Sequence, residues 1–318
     1  MKVFVTGGAG FIASHLCLKL LSKGYEVTAY DNLHLGKEEF LSECKKNKKF
    51  KFVKADLLDL ERLKKEMAGH DLVYHMAANS DISQGANNTD VDLKLGTIVT
   101  YNTLEAMRVN KMKKMVFAST SAIYGEATVK PTPESYGPLI PISFYGASKL
   151  GCEALCTAFS HNCNMEIWIY RFANIVGSHA THGAIYDFSN KLKKNPKSLQ
   201  VLGNGTQKKS YLHVSDCVDG MIFGFENTLG PLQIFNLASE GVTNVRFIAE
   251  EVARQVAVKT GEQAEVLFEK SDRGWVGDVA FTWLDGSRFQ SQGYKPKLTS
   301  DEAIKKAINE IISEVFEE

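Results

Sequence analysis

The sequence predicts an α/β protein: a doubly wound parallel sheet with a smaller mixed α/β lobe behind it. Three observations predict it. Strand-like and helix-like segments alternate six times over about 170 residues, the rhythm of parallel strands joined by right-handed helical crossovers. Glycines interrupt the first strand–helix junction between Gly7 and Gly10. After Asn174 the alternation is lost, and short strands mix with helices.

Lys2–Thr6 is β-branched and apolar, and the glycines break it. Phe11–Leu21 then carries apolar residues at the spacing of one helical face, with Gly24 where a C-cap is expected. Tyr25–Tyr30 reads as a second strand ending at Asp31. Strand Phe50–Lys54, helix Leu60–Met67, strand Asp71–Met76, helix Leu93–Arg108 and strand Lys114–Ala118 follow, then helix Tyr145–Phe159 and strand Met165–Tyr170. The basic run Lys45–Lys51 reads as a solvated loop. Ser119–Phe144, with Pro131, Pro133, Pro138 and Pro141, is a long connection of the kind usually kept for function. Beyond Asn174, helices are expected over Ala184–Lys193, Val214–Glu226, Val245–Lys259 and Asp301–Glu314, with extended pieces at Leu199–Leu202 and Lys209–Val214. Residues 1–174 are therefore read as a dinucleotide-binding domain and 175–318 as a substrate-binding lobe, with an interleaved, approximate boundary.

Composition excludes several classes. Hydrophobic residues are 44% and charged residues 23%, which argues against disorder. Lys plus Arg and Asp plus Glu are both 37, so the basic excess expected of a nucleic-acid binder is missing. The longest run free of Asp, Glu, Lys and Arg, Val3–Leu18, is 16 residues and rich in glycine, too short for a membrane span. The N-terminus reads as a strand and not a signal peptide, and the six cysteines show no CxxC spacing. Free thiols and a cytoplasmic protein are expected. His179 and His182 form an HxxH pair with no nearby partner ligands, so no metal is expected.

Two constellations carry chemistry. Gly7, Gly10 and Ala13, or Gly8, Gly10 and Ala13, fit a dinucleotide fingerprint between strand and helix, the mark of a Rossmann-type sheet. Glycines let the backbone approach a pyrophosphate, and the helix N-terminus faces it with free N–H groups. Asp31 ends the second strand, where a carboxylate accepts from the adenine ribose and repels the extra phosphate of NADP, so NAD is expected. Asp56 stands where it reaches the adenine edge. Tyr145 and Lys149 form YxxxK on one helix face. Lowering a phenol from about 10 to near 7 takes about 4 kcal/mol, which an ammonium and a positive nicotinamide supply by favouring phenolate. Ser119, Thr120 and Ser121, at the end of the fifth strand, each offer a hydroxyl beside it.

Together these residues resemble the extended short-chain dehydrogenase/reductase superfamily, in particular its nucleotide-sugar 4-epimerases. The likeness runs nearly end to end: TGGAGFIAS from Thr6, Asp31-Asn-Leu, His75-Met-Ala-Ala, FASTSAIYG from Phe117, YGASK from Tyr145, Arg171-Phe-Ala-Asn174, GNGTQKKSYLHVSD from Gly203 and GWVGDV from Gly274. The resemblance implies Thr120, Tyr145 and Lys149 as the catalytic residues. It implies cofactor contacts at Gly7, Gly10, Phe11 and Ile12, at Asp31 and Asn32, and at Asp56 and Leu57. It extends them to Ala77, Ala78 and Phe172, besides Tyr145 and Lys149. Substrate contacts are implied at Thr120, Ser121, Asn174, Lys209, Tyr211, Arg273 and Asp278.

The implied reaction inverts C4 of a nucleoside-diphosphate sugar, a UDP-hexose, through a transient 4-keto sugar with bound NAD. Related dehydratases carry an Asp-Glu pair, and decarboxylases a Glu, where this chain has Ser121-Ala122, so elimination is disfavoured. A reductase, or an epimerase at another carbon, shares every catalytic residue; a catalytically dead nucleotide sensor does not fit the intact trio. The helices from Leu93 and from Tyr145 correspond to those that pair relatives into homodimers. Three positions depart from the family pattern. Lys209 replaces an Arg, Leu93 an Asn and Trp275 an Arg, for which Arg273 is the substitute. The resemblance also puts Thr282 where bulk limits the sugar C2 substituent.

Overall fold

The computed structural model of the protein describes residues 1–271 and 279–317. The chain opens with β1 (Lys2–Thr6), α1 (Phe11–Ser22), β2 (Glu26–Asp31), a one-turn α2 (Ser42–Lys45), β3 (Phe50–Lys54), α3 (Leu60–Met67) and β4 (Leu72–His75). A π-helical turn over Leu93–Ile98 leads into α4 (Val99–Val109), β5 (Lys114–Thr120), α5 (Phe144–Cys163) and β6 (Glu166–Phe172). Next come β7 (Asn174–Val176), α6 (Ala184–Lys194), β8 (Ser198–Val201), β9 (Lys208–Lys209), β10 (Tyr211–His213), α7 (Val214–Asn227) and β11 (Leu232–Leu237). The last elements are β12 (Thr243–Asn244), α8 (Val245–Thr260), β13 (Glu265–Phe268), β14 (Phe281–Thr282), α9 (Ser287–Gln290) and α10 (Ser300–Glu317).

Seven strands form the main sheet in the order β11-β6-β5-β4-β1-β2-β3, every pair parallel. Both faces are covered, so successive residues of one strand enter different cores. Val3 and Val5 pack with Leu16, Leu20 and Cys217 on the α1–α7 side. Phe4, between them, packs with Val73, Met115 and Phe117 on the other. Strand order reverses between β1 and β4, and the crevice at their carboxyl ends is where such sheets take ligands.

Six strands were expected from the alternation, and the seventh is β11. It arises beyond position 174 yet pairs with β6 over Leu232–Leu237, and α7 packs on α1, with Lys19 and Asp219 2.7 Å apart. The sheet is thus built from both parts of the chain. The expected helix from Leu93 starts as a π-turn, within which Gly96 lies against Ser148 of α5: a Cβ on Gly96 would stand 2.2 Å from the Ser148 hydroxyl. The expected strand Lys209–Val214 divides into β9, paired with β12 and β14, and β10, paired with β7. A third core joins α6, α8 and α10 through Phe188, Leu192, Val252, Ile308 and Ile311. Among the described residues no helix is long and apolar enough to cross a membrane.

Candidate active site

The turn after β1 is shaped by close approach. Gly7 has φ +65°, and a Cβ on it would sit 2.8 Å from the Ala77 Cα at the end of β4. A Cβ on Gly8 would sit 2.5 Å from that of Ala29 in β2. Only glycine fits either place without backbone movement. Gly10 is the N-cap of α1 and supplies no side-chain cap, so the first N–H groups of α1, around Phe11 and Ile12, keep their donor capacity. Asp31, buried at the end of β2, accepts the Ala9 N–H at 3.1 Å and the Leu33 N–H at 2.7 Å. Burial pushes its carboxyl above the ordinary range, against those two N–H groups. Each oxygen retains a lone pair. Asn32 donates its amide to Asp56 at 3.0 Å, and Asp56 also accepts the Leu58 N–H at 2.8 Å. The Leu57 carbonyl receives Asn102 at 2.9 Å.

A main-chain turn that admits no Cβ at Gly7 or Gly8, a helix N-terminus without a side-chain cap and a carboxylate at the end of the second strand are the features a bound dinucleotide needs.

The other end of the crevice is built on β5 and α5. Ser143 caps α5, accepting the Gly146 N–H at 3.1 Å, and so starts the helix one turn before Lys149. Lys149 is buried, donates to the Ala118 carbonyl at 2.7 Å, and lies 5.9 Å from the Tyr145 ring centre. Burial pushes its ammonium pKa down. Burial also pushes the Tyr145 phenol well above its ordinary value; the hydrogen-bonded Thr120 hydroxyl pulls it down, and Asp92 pushes it further up. Thr120 Oγ1 accepts the Ala122 N–H at 3.1 Å, which leaves its O–H to donate. Ser121 and Ala122 open the short turn Ser121–Tyr124, with no carboxylate at either position.

Phe172 stands beside Thr120 in register, and Asn174, two residues further, is the register partner of Tyr211. Asn174 donates through its N–H to the Ser210 carbonyl at 3.1 Å. Lys209 pairs in register with Thr243 and Thr282. Ala78 follows Ala77 at the mouth of β4. Arg273 and Asp278, with Trp275, lie outside the described residues. His179 serves packing: it stacks on Phe40 with ring centres 4.3 Å apart and bonds Ser14 at 3.0 Å. His75, fully buried, is held by Thr6 at 2.6 Å and Thr100 at 2.9 Å, and burial takes its pKa to about 3.

Residues missed from sequence surround the trio. Glu153 lies one turn past Lys149 and pairs with Arg171; its i+4 spacing from Lys149 was the available signal. Asp92, buried at the entry to the π-turn, takes the Asn79 amide at 3.1 Å and leaves its other oxygen without a partner.

A parallel sheet with this crevice and this trio defines a dinucleotide-dependent short-chain dehydrogenase/reductase. Residues 3–238 match the model of the NAD dependent epimerase/dehydratase family, and the chain belongs to that family. It is 30% identical over 315 residues to a putative UDP-glucose 4-epimerase of Methanocaldococcus jannaschii, covering 96% of this chain and 97% of that one. Its fold matches the UDP-glucose 4-epimerase of Thermotoga maritima solved with UDP-glucose, with a TM-score of 0.87, 28% identity and all of both chains covered. It also matches the Thermus thermophilus UDP-glucose 4-epimerase solved with NAD, with a TM-score of 0.84, 28% identity, and 98% and 99% of the two chains covered.

Proposed function

We propose that the protein is a UDP-hexose 4-epimerase in which Thr120, Tyr145 and Lys149 do the chemistry. The observation that carries the reading is the hydroxyl–phenol–ammonium trio at the carboxyl end of β5, in a family that depends on NAD. Gly7, Gly10, Phe11 and Ile12 hold the pyrophosphate, Asp31 the adenine ribose, and Asn32, Asp56 and Leu57 the adenine edge. Ala77, Ala78 and Phe172 line the nicotinamide end. Bound NAD supplies the exchange of a hydride with C4 and a positive charge beside Tyr145.

The remaining work belongs to the protein. Tyr145 takes the proton of the C4 hydroxyl and later returns it, while Thr120 donates to the same oxygens. A free phenol is already protonated at neutral pH, and burial raises this one further. The Lys149 ammonium, held by Ala118, and the cofactor's charge must reverse that, which is more than the about 4 kcal/mol an unburied phenol would require. Ser121 and Ala122 supply no acid for elimination, so the 4-keto sugar is reduced and not dehydrated. Asn174, Lys209 and Tyr211 anchor the nucleoside diphosphate, and Arg273 and Asp278 complete that anchor. Residues 1–174, with β11, then form the cofactor domain and most of the remainder the substrate lobe.

The working form is a cytoplasmic homodimer. All six cysteines are free thiols. Leu93, Ile98, Tyr101 and Val109 expose an apolar strip along the π-turn and α4, beside α5, as a helix-pairing interface requires. Sedimentation of Tyr101→Glu against the wild type tests this: a monomer is expected, and two dimers would refute the interface.

Incubating the purified protein with UDP-glucose and no added NAD tests the reaction. UDP-galactose without net oxidation is expected. A keto-sugar substrate reduced with NADH consumption would instead make it a reductase.

A further inference from the structure

We infer that the buried Glu153–Arg171 pair positions the catalytic trio for the reaction proposed above, on which the inference rests. Glu153 and Lys149 share one face of α5, four residues apart. The Glu153 carboxylate accepts Arg171 Nη2 at 2.8 Å and Nε at 3.1 Å, a fork-to-fork pair with both side chains buried. The same carboxylate accepts the Ser119 hydroxyl. Ser119 immediately precedes Thr120, so one carboxylate fastens the Lys149 helix to the Thr120 strand.

The guanidinium extends the fastening. Arg171 Nη1 donates to the Tyr124 hydroxyl at 2.9 Å and to the Glu134 carbonyl at 3.0 Å. Tyr124 donates to Asn236 at 2.8 Å, and the Asn236 N–H donates to the Glu134 carboxylate at 2.7 Å. Ser119, Arg171 and Asn236 are register neighbours across β5, β6 and β11. A single polar row therefore ties the catalytic strand, the catalytic helix and the long connection after Thr120. Replacing such a pair by apolar groups often costs no stability, so stability alone does not explain it; fixing geometry does.

The pair also acts electrostatically, because Glu153 favours the Lys149 ammonium. The groups facing Tyr145 and Lys149 are Asp92 from the π-turn, Cys152, Cys156 and Glu153 from α5, and His75 from β4. In wild type the pair is neutral. Glu153→Gln leaves an uncompensated cation, which favours the Tyr145 phenolate, so the acid limb of the kcat–pH profile moves to lower pH. Arg171→Met leaves an anion, and the limb moves to higher pH. The neutral double variant keeps the wild-type limb yet loses about 100-fold in kcat, the scale of a slightly misplaced catalytic group. Ser119→Ala unpairs no charge and loses about tenfold in kcat with KM unchanged, and it decides the matter if a charge variant fails to fold.

The test is the pH profile of these four variants, with Tyr145 titrated directly by NMR of carbon-labelled tyrosine in the NAD-bound protein. The Tyr145 resonance is assigned by its loss in Tyr145→Phe. Opposite displacements in the two single variants support the positioning role. An unmoved Tyr145 titration in both, or Ser119→Ala turning over like the wild type, overturns it. Opposite displacements in a protein that interconverts no UDP-hexose would refute the proposed reaction while the pair keeps its hold on Tyr145.

Discussion

At the β1–β2 end of the crevice the ligand surface is main chain, whereas at the β5–α5 end it is side chains. The first end is shaped by absent Cβ atoms at Gly7 and Gly8 and by the unspent N–H groups of α1. Its charge, Asp31, is itself pinned by two backbone N–H groups. The second end consists of three side chains, two of which titrate: burial shifts both Tyr145 and Lys149, and the Thr120 hydroxyl pulls the phenol back down. A main-chain surface holds a fixed ligand and offers little to titrate. A side-chain cluster can move a proton but has to be braced from beneath, as Ser119, Glu153 and Arg171 brace this one.

Substitutions at the two ends should therefore fail differently. Tyr145→Phe is expected to lower kcat about a thousandfold or more while the cofactor stays bound, since a general base is lost and no packing atom except the hydroxyl; stopped-assay turnover and absorbance of the purified protein check both. Gly7→Val adds a branched side chain at φ +65°, against Ala77. It should strip the cofactor and cost about 1–3 kcal/mol of stability, measured by NAD content and denaturant unfolding. Asp31→Ala should weaken NAD about 10- to 100-fold with UDP-sugar affinity unchanged; equal loss of both in calorimetry would erase the distinction between the ends. Lys209→Met should raise the KM for UDP-sugar about tenfold and leave NAD alone, because an ammonium on a diphosphate is one charge-assisted contact.

A last prediction lies outside the crevice and concerns stability in acid. His75 and His179 are held neutral by burial, with pKa values taken from 6.5 to about 3 and about 4. The unfolded chain takes up those protons first, so stability is full above pH 6.5 and falls as pH drops toward 4. The slope approaches about 1.4 kcal/mol per pH unit for the fully buried His75 and is smaller for the partly exposed His179, which solvent screens. Melting curves between pH 7 and pH 4.5 check it, and a flat profile would count against both assignments.

The same contrast explains what could be read before any coordinates. The glycines, Asp31 and YxxxK do their work within a few residues of chain, so spacing alone exposes them. Strand β11 escaped because Gln233 and Asn236 break its apolar run, and Asn236 is polar for a reason far away in sequence: it holds Thr132, Tyr124 and Glu134. Arg171 and Glu153 were visible as residues, but their pairing requires the sheet. The π-turn carries the contact of Gly96 with Ser148 of α5, a tertiary approach that no local propensity encodes. Nothing in the sequence joins Asn174 to Tyr211, and only the β7–β10 register makes them neighbours.

Strand β11 also constrains the order of assembly. Until Leu237 has left the ribosome, β6 presents an open edge bearing Ile167, Trp168 and Ile169. Nascent chains stalled near residue 174 would carry that sticky border into the cell, where strand-to-strand association between copies competes with maturation. Pairing of the late-made β11 closes that border.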